Sequence, residues 1–191
     1  MRIVFVGPPG AGKGTQSQRL LQYLKIPHIS TGDMLRQSIA AHSPEGLAAE
    51  QYMSKGQLVP DQVILSMVAR RLAERDCDAG ALFDGFPRTV PQAVALNDIL
   101  TKRGTPLNVV LELRVADEEV IRRLMTRARQ DDREEVVAER LKAYWQQTRP
   151  LLDYFDAQGL VQIIDGTGSP DDVFNRIKQR LGNSRPATKH A

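Results

Sequence analysis

Ile3-Val4-Phe5-Val6-Gly7-Pro8-Pro9-Gly10-Ala11-Gly12-Lys13-Gly14-Thr15 is the stretch that decides the architecture. The apolar run Ile3 to Val6 reads as a buried strand and the glycines as a tight turn. Lys13 to Leu24 then reads as a helix with Leu20, Leu21 and Leu24 on its apolar face. G-x-x-x-x-G-K carries chemistry when it joins a strand to a helix, which is the context here. Glycines at Gly10, Gly12 and Gly14, with Ala11 between, let the backbone turn its N–H groups inward. The helix start adds the positive end of its dipole, a ready site for phosphate. Lys13 contributes a compact charge suited to β- and γ-phosphates. A plain Gly-rich turn would need no lysine at this spacing. Gly14 stands where Ser or Thr usually follows the lysine, and Thr15 comes one residue later. Magnesium is therefore expected mainly on phosphate oxygens and water.

Outward from this loop, short apolar runs alternate with helical patterns. Pro27 to Ser30 is extended. Gly32 to Ala41, Pro44 to Lys55 and Asp61 to Arg75 are helical, the last with Val63, Ile64, Met67, Val68 and Leu72 at helical spacing. Ala81-Leu82-Phe83-Asp84 is a second buried strand ending in a carboxylate. Pro91 to Arg103 is a helix, Asn108 to Leu113 a strand and Asp117 to Arg127 a helix. Arg133 to Phe155 forms one long helical pattern, bent or ended near Pro150. Leu160 to Ile164 is a last strand and Pro170 to Leu181 a last helix. This alternation predicts an α/β fold, a parallel sheet with helices on both faces and right-handed crossovers. The tail from Gly182 to Ala191 lacks an apolar pattern and is expected to be disordered.

The totals agree with a single domain of 191 residues. With 41% apolar and 26% charged residues the composition is that of a globular protein. The formal net charge of +3 suits a binder of anions, but a few surface cations would give the same value. Cys77, the one cysteine, excludes an intrachain disulfide and argues against a cysteine metal site. In the polar stretch Glu74 to Asp78 it reads as incidental. The first apolar run is too short for a signal peptide, and no run approaches membrane-spanning length, so a cytoplasmic protein is expected. His28, His42 and His190 sit in unrelated contexts and are assigned no chemistry.

Several motifs then fall in a fixed order. They are Gly7 to Gln16, Ser30-Thr31-Gly32-Asp33-Met34-Leu35-Arg36 and Gly56-Gln57-Leu58-Val59-Pro60-Asp61. Asp84-Gly85-Phe86-Pro87-Arg88-Thr89 follows with Gln92, then Arg127, Arg129, Asp131, Asp132 and Arg140, then Gly166-Thr167-Gly168-Ser169. In these motifs the chain resembles the adenylate kinase family, from Met1 to about Leu181. The resemblance implies a P-loop NTPase fold in one domain with three parts. A core would comprise 1–29, 60–125 and 134–181. A small helical insert at 30–59 would hold the monophosphate, and a short lid at 126–133 would close over ATP, leaving 182–191 as the tail.

The resemblance further implies magnesium-dependent, reversible transfer from ATP to AMP, giving ADP. ATP would sit on Gly10 to Thr15 and Gly168. AMP would be held by Thr31, Arg36, backbone groups of Gln57, Leu58 and Val59, the run Gly85, Phe86, Pro87 and Arg88, and Gln92. Arg88 would bridge the two phosphates, and Asp84 would hold magnesium through water. The Phe86–Pro87 bond would be cis. Arg127 would hold ATP, while Arg129 and Arg140 would reach the transferring phosphates and AMP. Arg122, Arg123 and Arg133 read as solvated helix arginines. Relatives acting on pyrimidine monophosphates tend to carry Ala and Asn where this chain has Thr31 and Gln92, which favours AMP. Only Ala128 separates Arg127 from Arg129, a departure from the family that abbreviates the lid. A single cysteine leaves no four-cysteine zinc lid. A monomer without nucleic-acid or membrane partners is expected. The competing readings are a UMP or CMP kinase, a regulatory nucleotide-binding module, and a P-loop protein acting on nucleic acid.

Overall fold

The structure, a computed structural model, describes residues 1–126 and 134–183. Among them, β1 (Arg2–Val6), β2 (His28–Ser30), β3 (Ala81–Asp84), β4 (Val109–Arg114) and β5 (Val161–Asp165) form one sheet in the order β2-β3-β1-β4-β5. Every pairing is parallel, as the strand–helix alternation predicts. The helices are α1 (Lys13–Leu24), α2 (Thr31–Ala40), α3 (Pro44–Met53), α4 (Asp61–Leu72), α5 (Val90–Lys102), α6 (Asp117–Thr126), α7 (Glu134–Ala143), α8 (Pro150–Asp156) and α9 (Pro170–Asn183). No described helix is long and apolar enough to cross a membrane.

The two-residue period of a strand divides the core. Val4 and Val6 of β1 point to one side, with Phe83, Val110 and the buried faces of α4, α5 and α8. Ile3 and Phe5 point to the other, with Leu82, Leu111, Leu20 of α1 and Val173, Ile177 and Leu181 of α9. Both faces of β1 are thus dry, which is why its sequence is an unbroken apolar run. Register sets Asp84 beside Phe5 of β1 and Ser30 of β2, so the carboxyl ends of three strands open at one edge.

Most predicted boundaries agree with the structure within a residue or two. The helical pattern expected to bend or end near Pro150 does break there, and α8 begins at Pro150. A π-helical turn at Tyr144–Thr148 separates α7 from α8, with Arg149 N–H donating to the Tyr144 carbonyl at 2.8 Å. Pro150 cannot donate and its ring crowds the carbonyl four residues earlier, so the preceding turn widens. At the C-terminus, Gly182 and Asn183 belong to α9 rather than to the tail. Of the expected lid, only Thr126 is described, at the end of α6; Arg127, Arg129, Asp131, Asp132 and Arg133 lie outside the described residues, as does 184–191.

Cys77 is not incidental. It is 1% exposed, its Sγ receives an Arg71 N–H at 3.1 Å, and its thiol donates to the Arg71 carbonyl at 3.3 Å. Burial pushes the thiol up to about 11, with Arg71 opposing. The unfolded chain would release this proton first, near the ordinary 9.0. Stability should therefore fall as pH rises through that interval, by an amount on the order of 2 kcal/mol. Denaturant titrations at neutral and alkaline pH should show the added alkaline loss in the native protein and not in Cys77→Ala.

The pair α2 and α3 packs through a glycine. A Cβ at Gly46 would lie 2.2 Å from the Ser38 carbonyl oxygen and 2.6 Å from Ile39 N. Both are backbone atoms, so α3 would have to move. Gly46→Ala should lower unfolding free energy by about 1–3 kcal/mol, the usual cost of overpacking, as read by chemical denaturation.

Candidate active site

A cleft of about 890 Å³ opens at the carboxyl ends of the strands, where ligands sit in open α/β sheets. The loop from Gly7 to Gly12 and the start of α1 form its floor. Gly12 caps α1 with φ 100°, a left-handed conformation costly for any residue with a Cβ. Ala11 N–H closes the loop onto the Pro8 carbonyl at 3.1 Å. Lys13 Nζ lies over the loop and donates to the Gly7 and Pro8 carbonyls at 2.6 and 2.9 Å. Gly10, Ala11, Gly14 and Thr15 all border the cleft, Thr15 exposed in it, and Gly168 borders it across from the loop.

Asp84 faces this cleft with its side chain 14% exposed. Ser17 donates to its Oδ2 at 3.1 Å. His28 Nε2 stands 3.5 Å from the same oxygen, an electrostatic contact longer than a good hydrogen bond. Burial alone would raise this carboxyl group. His28, Lys13 and Ser17 together outweigh burial and hold it below the ordinary carboxylate value, so Asp84 is an anion. Among the described residues no three His, Cys, Asp or Glu gather as a metal cage. One buried carboxylate bordering the same cleft as Thr15 fits a hard cation that keeps its water and takes phosphate oxygens.

A smaller hollow of about 70 Å³ adjoins the cleft. Thr31, Leu35, Gln57, Leu58, Val59, Ile64 and Gln92 line it. Arg36, Arg88 and Arg140 border both the hollow and the cleft. Each arginine comes from a different element. Arg36 rides on α2, which Ser30 caps by accepting Asp33 N–H. Arg140 rides on α7, its stem against Gly56. Arg88 follows the cis Phe86–Pro87 bond, and its Nε donates to the Gly85 carbonyl at 2.9 Å. That carbonyl also accepts the Thr31 hydroxyl at 2.8 Å. Burial, and then Arg140, lower the Arg88 guanidinium below its ordinary value; Asp84 opposes and Arg36 adds to the effect. The arrangement is a seam of crowded cations between two hollows, which an anion bridging them would relieve.

The predicted residues are thus largely brought together. Phe86 stands apart: it is fully buried near Phe83 and borders neither hollow, although its neighbours Gly85 and Pro87 border the cleft. Arg123 is a correction, since it is no solvated arginine. It donates to the Ala11 carbonyl at 3.3 Å and the Gly166 carbonyl at 3.1 Å, and pairs with Glu119. Its signal was available, because Val120 and Leu124 form the buried stripe of α6 and position 123 sits beside them. Gln16 was also missed. It is 3% exposed and its Nε2 donates to the Pro170 carbonyl at 3.0 Å, tying α1 to the start of α9. His28 and Ser17, which hold Asp84, had no signal of their own, because β2 and α1 meet β3 only in the folded chain.

The sequence model of the adenylate kinase family matches residues 5–160. The adenylate kinase of Xanthomonas campestris pv. campestris is 46% identical, across 95% of this chain and 100% of its own. Adenylate kinase 1 of Nostoc sp. is 45% identical, across 95% and 99% respectively. That of Methanosarcina barkeri is 43% identical, across 95% and 98%. A parallel α/β sheet, a phosphate loop at its carboxyl edge and this degree of identity over nearly the whole length agree: the chain belongs to the adenylate kinase family.

Proposed function

We propose that this enzyme transfers the terminal phosphoryl group of ATP to AMP, reversibly giving two ADP, and so balances the adenine nucleotide pool. The observation that carries this reading is the seam: Arg36, Arg88 and Arg140 are shared by the phosphate-loop cleft and the smaller hollow. Two nucleotides entering from opposite ends would meet there with their phosphates.

The loop N–H groups from Gly10 to Thr15 would take the ATP phosphates, which replace the Gly7 and Pro8 carbonyls as partners of Lys13. Gly168 would meet the ATP base. Arg123, fixed between the loop and Gly166, would border that nucleotide. On the acceptor side, Arg36 would pair with the AMP phosphate and Arg88 would bridge donor and acceptor with its planar fork. Thr31, the turn Gln57-Leu58-Val59, Gly85, Pro87 and Gln92 would hold the nucleoside, with Phe86 buried behind them. Arg129 and Arg140 would reach the transferring group, and Arg127 the ATP. This assigns 30–59 to the acceptor, 126–133 to the lid and the remainder to the core. Thr15 and Asp84 would hold magnesium through water, and the ion supplies charge neutralisation between the phosphates.

The acceptor oxygen is already ionised near neutral pH, so no general base is required. The residues need only align two polyanions and offset their charge, the main demand of phosphoryl transfer. Water competes as acceptor, and closure of the lid and the acceptor segment would exclude it. The single cysteine, buried and unpaired with another, suits a reducing cytoplasm. We infer a monomer that acts on nucleotides alone, without zinc.

Removing one cationic contact in such a site costs about 2–4 kcal/mol, or about 10²–10³ in rate. Lys13→Met and Arg88→Ala should each keep the native circular dichroism spectrum. Both should cut ADP formation at least about a hundredfold. Near-normal turnover in folded Lys13→Met would discard the loop assignment. The direct test is a screen of AMP, GMP, CMP and UMP with MgATP, run beside ADP and magnesium alone. AMP should be the preferred acceptor, and ADP should yield ATP and AMP. Chelating the magnesium should abolish both.

A further inference from the structure

We propose that Asp61 sets the base specificity of the smaller hollow by locking the side-chain amide of Gln92 in one orientation. The proposal rests on the reading of that hollow as the AMP site. Gln92 is 2% exposed and its amide is held at both ends. Its Oε1 accepts the backbone N–H of Arg88 at 2.7 Å. Its Nε2 donates to Asp61 Oδ1 at 2.6 Å. The other oxygen of that carboxylate accepts the Thr89 hydroxyl at 3.0 Å.

Turning the amide over would set NH₂ against the Arg88 N–H and a carbonyl oxygen against a carboxylate. Both contacts would become repulsive, in a place where water cannot repair them. A backbone N–H can only donate and a carboxylate can only accept, so the two partners act together, and losing the carboxylate leaves the amide held at one end only.

A primary amide has two N–H donors and two lone pairs on its oxygen. One of each is used inside the protein. One of each remains, and Gln92 borders the hollow. The site thus presents a donor and an acceptor whose order is fixed. A 6-aminopurine offers an acceptor at N1 and a donor at its amino group. A 6-oxopurine offers the reverse, a donor at N1 and an acceptor oxygen, in the same two places. An amide free to turn would serve both bases. A locked amide serves one, and on the AMP reading that one is the 6-aminopurine. Asp61 borders neither hollow and is a positioning residue.

IMP is the probe, because its base differs from that of AMP only along this edge. The kcat/KM values for AMP and IMP with MgATP, and calorimetric binding of each without ATP, should be measured for native protein, Asp61→Ala, Asp61→Ser and Asp61→Asn. Serine keeps a small polar side chain in the first turn of α4 while being too short to reach Gln92. In the Ala and Ser variants the preference for AMP over IMP should fall at least about tenfold. The change should lie mainly in KM for the monophosphates, with KM for ATP unmoved. Asp61→Asn should stay within about threefold of native, since its oxygen can still face Nε2 and its NH₂ the Thr89 hydroxyl. A folded Asp61→Ser protein with native AMP-to-IMP preference would overturn the proposal, as would weakened binding of both bases in equal measure. Native protein that made no ADP from AMP would overturn the acceptor reading itself, a result distinct from either.

Discussion

Like charges gathered before their ligand arrives are the constraint on which this molecule depends. Arg36, Arg88 and Arg140 border one seam, with Lys13 close by on the loop floor. Burial and neighbouring cations already depress the Arg88 guanidinium, so the cluster stands at a cost in folding free energy. The scaffold must supply the offset, and its two-faced core does so. β1 is dry on both sides, and helices from most of the chain close over the sheet. Asp84, an anion at the end of β3, and Asp33, paired with Arg36, are built-in counterweights. A rigid parallel sheet holds these groups at its carboxyl edge without requiring them to be stable neighbours by themselves.

Much of this could be read before any coordinates. The apolar run before Gly7 and the lysine after Gly12 specify strand, turn and helix by local chemistry. Each later strand is likewise short, apolar and bounded. The positions of Thr31, Arg36, Arg88 and Gln92 were legible because their motifs are spelled contiguously. What could not be read were contacts made across the sequence. His28 and Ser17 carry no mark of their service to Asp84, since neither is near it in the chain. Asp61 stood in a recognised motif, yet its bonds to Thr89 and Gln92 arise only when α4 packs beside α5.

Arg123 and Cys77 teach a complementary lesson. Each sits in a stretch whose composition is polar, and composition is a poor guide to burial at a single position. Arg123 is drawn inward by the stripe of Val120 and Leu124 and finds backbone carbonyls at Ala11 and Gly166. Cys77 is enclosed beneath Arg71, whose own carboxylate partners are Glu74 and Asp76. Charged neighbours here form the cover of a buried atom rather than a sign that it is wet.

The wide turn at Tyr144–Thr148 bears on the geometry of the whole seam. One additional residue in a helical turn advances the angular phase of everything beyond it by about 100°. Upstream, α7 directs Arg140 toward the cleft; downstream, α8 drives Leu151, Leu152 and Phe155 into the oily interior. A continuous helix of 3.6-residue turns would satisfy only one of those aims. The insertion therefore works as a rotary coupling, letting a single segment be an anchor at one end and a reaching arm at the other.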